Sequence, residues 1–181
     1  MALGKKRGAI APFFGGSLFI YPITNPDSIS ITTAATWATL SHLEKAAPVS
    51  DIPFNPEYSE QGKKIIALEG EENMYIDGIF KQRDKDLLDF LGETCRNKYY
   101  AVYRDLGIVD GKHQELFMPL CKFKPGFDLG SKPPKPPFRI EVLNAGVAVS
   151  IIQAGMPVGA HATAVTIPIN QLYKIEETAI V

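Results

Sequence analysis

The chain has 181 residues, 45% hydrophobic and 22% charged, the balance of a globular domain and not of a disordered, collagen-like or coiled-coil chain. Lys and Arg number 19 against 20 Asp and Glu, a net charge of −1, which argues against a protein that works mainly by gripping nucleic acid through a basic surface. Two Cys are too few for a disulfide framework and suit a reducing compartment.

Fourteen Pro, 15 Gly, 10 Phe and 7 Tyr predict frequent turns and a mainly β fold with little helix. The expected organisation is an extended N-terminal arm over residues 1–16 and one mainly β domain over residues 17–181. Lys5, Lys6 and Arg7 precede a mostly apolar stretch over residues 9–23, superficially like an export signal. Pro12, the Gly15-Gly16 pair and Pro22 interrupt any helix there, and no small-x-small cleavage site follows. The stretch is therefore expected to be an arm entering a first strand over residues 17–21. No run of 18 apolar residues occurs, so no membrane-spanning helix is expected.

Residues 28–33 are β-branched and alternate as a strand does. Residues 36–46 are ambiguous, because Trp37, Leu40 and Leu43 have helical spacing while Pro48 closes the segment. Residues 49–58 carry Pro53 and Pro56 and are expected to form a loop. Residues 63–68 and 74–82 read as the two strands of one hairpin around Glu69-Gly70-Glu71-Glu72-Asn73. The one helix is predicted over residues 83–96, with Leu87, Leu88, Phe90, Leu91 and Cys95 as its apolar stripe. Leu87 and Leu91 should face a sheet. Gly92 weakens this helix by about 1 kcal/mol relative to Ala, so packing has to hold it.

Residues 99–105 and 114–123 form a predicted strand pair joined at Asp110-Gly111. Pro119 implies a bulge or an edge position in the second of them. The Pro-rich run over residues 131–137 predicts a stiff polyproline connector, about 19 Å across its last six residues at ~3.1 Å each. Strands are expected over residues 139–143 and 147–153, and another over residues 164–175 broken at Pro168. Residues 155–162 are expected to be the tip of a long hairpin.

Chemistry is sparse along this chain. No glycine loop has phosphate- or dinucleotide-binding spacing, and Gly-x-Ser-x-Gly does not occur. His42, His113 and His161 have no second His or Cys at metal-ligand spacing. Cys95 falls at a helix C-terminus, where the dipole disfavours a thiolate, and Cys121 falls among apolar strand residues, so both read as core thiols. Asp84, Asp86 and Asp89 match the helix dipole better than a cation loop, since the loop glycine and terminal Glu are missing. Tyr99, Tyr100, Tyr103 and Phe123 could stack on bases, but alternation along strands turns about half of such residues into the core. The sequence thus points to no catalytic residues, no metal and no cofactor.

The order over residues 63–123 runs from a hairpin through Phe80-Lys81-Gln82-Arg83-Asp84 into Leu87-Leu88-Asp89-Phe90-Leu91 and Tyr99-Tyr100-Ala101-Val102-Tyr103. Asp110-Gly111-Lys112-His113-Gln114-Glu115 and Leu120-Cys121-Lys122-Phe123 complete it. This resembles the major tail tube proteins of tailed bacteriophages and, more distantly, the haemolysin-coregulated tube protein of type VI secretion. The resemblance implies a β-sandwich or small barrel with one flanking helix. It implies homo-hexameric rings that stack into a hollow tube for genome passage, with other tail proteins as partners and no membrane anchor. By it, the protein would be made in the host cytoplasm and reside in the virion tail. The inter-ring contacts it implies include Lys5, Lys6, Arg7, Phe13 and Phe14 of the arm, and Glu69, Glu71 and Glu72 are candidates for an acidic lumen. A second reading is a β-sandwich binding module of a larger assembly: another tail, connector or baseplate component, or a protein- or carbohydrate-binding domain. That module would use the Pro-rich run or an aromatic face.

Overall fold

A computed structural model describes residues 18–31, 37–40, 43–51, 54–58, 64–69, 72–80, 85–109, 111–126, 135–151 and 165–179. The N-terminal arm, residues 131–134 of the Pro-rich run and the hairpin tip expected at residues 155–162 lie outside them. Among the described residues the fold is mainly β with one short helix, as the composition predicts. In chain order the strands are β1 (Leu18–Ile23), β2 (Ser30–Ile31), β3 (Ala38–Leu40), β4 (Leu43–Asp51), β5 (Phe54–Tyr58), β6 (Lys64–Glu69) and β7 (Asn73–Phe80). Helix α1 (Lys85–Asp89) continues as a π-helical turn over Phe90–Thr94. Then come β8 (Tyr99–Val109), β9 (Lys112–Phe123), β10 (Pro137–Val142), β11 (Val149–Ile151), β12 (Val165–Ile167) and β13 (Lys174–Ala179).

An eight-stranded sheet has the order β3-β1-β8-β9-β10-β7-β4, and β13 joins it along β9. Its two ends, β3 and β4, are joined by only residues 41 and 42. Leu40 and Leu43 are three Cα steps apart, at most about 11 Å, so the sheet must roll until its ends nearly meet. The result is a nearly closed barrel. Leu18, Ile20, Ile76, Tyr100, Val102, Leu116, Phe123 and Ile140 fill its interior. A three-stranded sheet, β12-β11-β2, covers the outside of the barrel wall, and a second core lies between them with Ile31, Ala101, Tyr103, Phe117, Val149 and Ile167. Tyr100, Ala101, Val102 and Tyr103 are consequently all buried in succession, the signature of a strand covered on both faces.

β8 and β9 depart from ideal register twice. Tyr100 pairs Cys121 and Val102 pairs Met118, which leaves an extra residue on β9 at Pro119 and Leu120. Pro119 thus sits in a bulge of a central strand, not at an edge, where its missing N–H interrupts no ladder. The second irregularity lies between Asp105 and Gly107. Gly107 has φ +91° and donates its N–H to Asp105 Oδ1 at 2.7 Å. Gly111, also at positive φ, closes the predicted turn between Val109 and Lys112.

Four expectations need correction. The ambiguous segment at residues 36–46 is strand and not helix where it is described, since β3 and the first four residues of β4 lie there. The loop predicted over residues 49–58 is instead the end of β4 and all of β5. Pro48 and Pro56 are tolerated because β4 ends the sheet and β5 has one partner, so each strand has a free side for the absent N–H. Residues 63–68 and 74–82 do not pair with each other: β6 pairs β5, whereas β7 lies between β4 and β10. The helix is shorter than the predicted 83–96 and widens at Phe90, where Cys95 N–H bonds the Phe90 carbonyl at 2.9 Å. Leu91 and Cys95 are buried in the barrel core and Leu87 and Phe90 pack against it, as the apolar stripe requires.

Candidate functional site

The excursion from β4 to β7 is one long two-stranded ribbon. Pairing runs from Leu43↔Phe80 to Asp51↔Asn73 and resumes from Phe54↔Glu69 to Tyr58↔Lys64. At ~3.3 Å per residue each side follows about 50 Å of contour. The near half, β4 and β7, belongs to the barrel. The far half, β5 and β6, pairs with no other described strand. Ser50 hydroxyl donates to Glu72 at the joint between the halves. Of the three acidic candidates, Glu72 is therefore engaged at this joint, Glu69 pairs with Phe54 at the start of the far half, and Glu71 lies outside the described residues. Lys5, Lys6, Arg7, Phe13 and Phe14 lie outside them too.

One end of the barrel is closed by the helix. Phe90 meets Tyr100 and Phe123 edge to face, at ring separations of 5.8 and 5.1 Å. Gly126 N–H donates to the Leu91 carbonyl at 3.0 Å, tying the loop after β9 across the π turn. Asp86 and Glu93 are exposed on this end, and Lys85 is engaged by Asp89. Asp84 lies outside the described residues. Burial pushes the Cys95 thiol up and raises Cys121 further, so both are protonated core residues.

The aromatic residues do not form an open face. Tyr103 lies 5.5 Å from Phe19, 5.0 Å from Phe117 and 6.4 Å from Trp37, inside the layer between the barrel and the small sheet. Tyr100 and Phe123 are buried inside the barrel. Only Tyr99 keeps partial exposure, with the Lys122 ammonium 5.7 Å from its ring centre. Stacking on bases is thus closed to three of the four.

Sequence reasoning missed two charged groups that the fold brings into the core. Glu115 is 1% exposed and accepts the Tyr103 phenol at 2.8 Å. Asp105, Glu115 and Glu176 occupy one row across β8, β9 and β13, and Lys174 neutralises Glu176 at 2.6 Å. The second group is Arg104, whose Nε and Nη1 are buried without a hydrogen-bond partner. No sequence signal marks it, because a lone Arg in an aromatic strand usually points to solvent.

A cleft of about 530 Å³ runs beside β10 and is lined by Asp77, Lys124, Gly126, Pro137 and Arg139 among others. Arg139 grips Asp77 with two bonds of 2.7 and 2.8 Å and lies over the Tyr75 ring at 4.5 Å. The Pro-rich run ends beside this wall: Phe80 N–H bonds the Pro136 carbonyl at 3.1 Å, and Lys135 pairs with Glu44. Among the described residues no cluster of three or more His, Cys, Asp or Glu is arranged to hold a metal, and no helix is long and apolar enough to cross a membrane.

No protein-family model matches this sequence, and no curated protein matches it. Among solved structures, the chain is similar to one from the 6-fold symmetrised cryo-EM structure of the anti-feeding prophage baseplate. That similarity covers 74% of this chain and 91% of the other, at 10% identity and a TM-score of 0.33.

Proposed function

We propose that this chain is a structural subunit of a phage-type tail, forming hexameric rings that stack into a tube around a lumen for genome passage. It works by self-assembly and not as an enzyme, resides in the virion tail after synthesis in the host cytoplasm, and contacts other tail proteins.

The observation that carries this reading is the far half of the ribbon. A two-stranded hairpin alone in water is marginally stable, and an unpaired edge invites association that monomeric proteins normally block. Here β5 and β6 pair with each other and with no other described strand. A neighbouring subunit that receives the ribbon removes both liabilities. The nearly closed barrel and the one helix among the described residues also fit the architecture that the tail tube resemblance implies.

Negative-stain microscopy of the purified chain over a concentration series, with its mass in solution, tests the proposal. Rings or hollow tubes are the expected result. A strict monomer at every concentration would instead favour a binding module that meets a different partner.

A further inference from the structure

Asp77 on β7, Arg139 on β10 and Lys124 just past β9 form one row across the outside of the barrel wall. Arg139 is the cross-strand partner of Asp77. The Lys124 N–H meets the Arg139 carbonyl at 2.9 Å, which carries the β9–β10 ladder one step beyond Ile140↔Phe123. Ile140 and Phe123 belong to the barrel interior, so their neighbours Arg139 and Lys124 face outward. Cross-strand partners share a face, and like charges set directly opposite repel. Read across the strands, the charges are minus, plus, plus. In the adjacent row Glu141 lies opposite Lys122, and there they match.

Asp77 takes Arg139 through Nε and Nη2, which leaves Nη1 uncommitted, and the Tyr75 ring fixes the plane of the guanidinium. Lys124 is exposed, and its ammonium has no partner among the described residues. The row is therefore short of one carboxylate, and the 530 Å³ cleft opens at that point. The rest of its lining is Pro125, Gly126, Pro137 and Phe138, an apolar wall beside the two cations. The space over Gly126 is open, since a Cβ there would meet nothing within 4 Å. Pro137 precedes Arg139 by two residues on the exposed face of β10, about 6.6 Å along the strand.

We propose that this cleft binds an extended, acidic segment of a partner protein. An Asp or Glu carboxylate of that segment bridges the Lys124 ammonium and Arg139 Nη1. An apolar side chain two residues away in the same segment lies over Pro137 and Pro125, because alternate residues of an extended peptide share a side at the spacing of Pro137 and Arg139. Charge-assisted bonds to both cations are stronger than neutral ones, and the apolar wall shields them from water. A nucleic acid strand matches the cleft poorly. Asp77 leaves the row one net positive charge, whereas a phosphate backbone is held by many cations. The inference goes beyond the tail reading and does not depend on ring formation.

Fluorescence anisotropy on the purified full chain tests it with the labelled peptide Glu-Thr-Leu-Thr-Glu-Thr-Leu, its Gln-for-Glu counterpart and a labelled oligothymidylate. The acidic peptide should bind saturably, and the Gln peptide about tenfold or more weakly. K124Q and R139Q should each show a similar loss for the acidic peptide. Both should melt as the wild type, because Lys124 is exposed and the Arg139–Asp77 pair is a surface one. K112Q, which removes the same charge at the far end of β9, should bind as the wild type does. Equal binding of the two peptides, an equal loss in K112Q, full binding by K124Q or R139Q, or no saturation by about 1 mM peptide overturns the proposal. Tighter binding of the oligothymidylate that K124Q abolishes also overturns it and gives the cleft to phosphodiesters.

Discussion

Tyr103 on β8 donates its phenolic proton to Glu115 Oε1 on β9 at 2.8 Å, between the barrel wall and the small sheet. Glu115 is the one buried charged residue among the described ones, and the bond gives its carboxylate a donor where water has little access. Removing the hydroxyl leaves the ring in place but withdraws that donor. Tyr103→Phe should therefore lower unfolding stability by about 1–3 kcal/mol, read from urea denaturation. Unchanged stability would mean that Glu115 is satisfied without it.

Alkaline pH should destabilise the fold. Burial raises Cys95, Cys121, Tyr100 and Tyr103 above their ordinary values, and for Tyr103 the Glu115 bond adds to it. A raised folded-state value means that the native state holds protons which the unfolded chain releases. Stability is then full below the unfolded values, about 8.5 for Cys and 10 for Tyr, and falls as pH rises past them. Melts from pH 7 to 11 should show a flat region followed by a decline starting near 8.5. A flat profile to pH 11 would contradict the burial of these groups.

Leu91 joins the helix to the barrel core and is fully buried. Leu91→Ala should cost about 2–5 kcal/mol through lost burial and the cavity left behind. Exchange of the amide hydrogens of residues 85–95 should speed up more than that of β8 or β9, because these residues depend on packing for their order.

Replacing residues 53–71 with Asn-Gly should leave the barrel intact, since β4 and β7 keep their own pairing and a two-residue turn suits it. Its melt should remain cooperative while rings and tubes are lost from micrographs. Assembly at wild-type concentrations would show that β5 and β6 serve no intersubunit role.

The fold class, the turn at Gly111, the break at Pro168 and the apolar face of the helix were legible in the sequence. Each rests on local chemistry: a two-residue period, a positive φ, a missing N–H, or a spacing of three and four. The burial of Tyr100, Tyr103 and Phe123 follows partly from the same alternation. What was not legible depends on partners far along the chain. Pro48 looked like the end of a segment and Pro56 like a loop residue because their free strand sides exist only once the sheet has its order. Residues 63–68 and 74–82 looked like partners because adjacency in sequence favours a hairpin, yet β7 gains more by lying between β4 and β10 in the barrel wall.

The sequence by itself determined that this is a mainly β domain with a helix after residue 83 and turn residues at defined points. Those properties follow from backbone preference and hydrophobic period, which act within a few residues. Only the tertiary structure decided that the sheet rolls into a barrel, that both faces of β8 are covered, and that Glu115 and Arg104 are drawn inside. The period of two states which side chains share a face but not which face meets solvent. That choice is made by the strands and sheet that close over it.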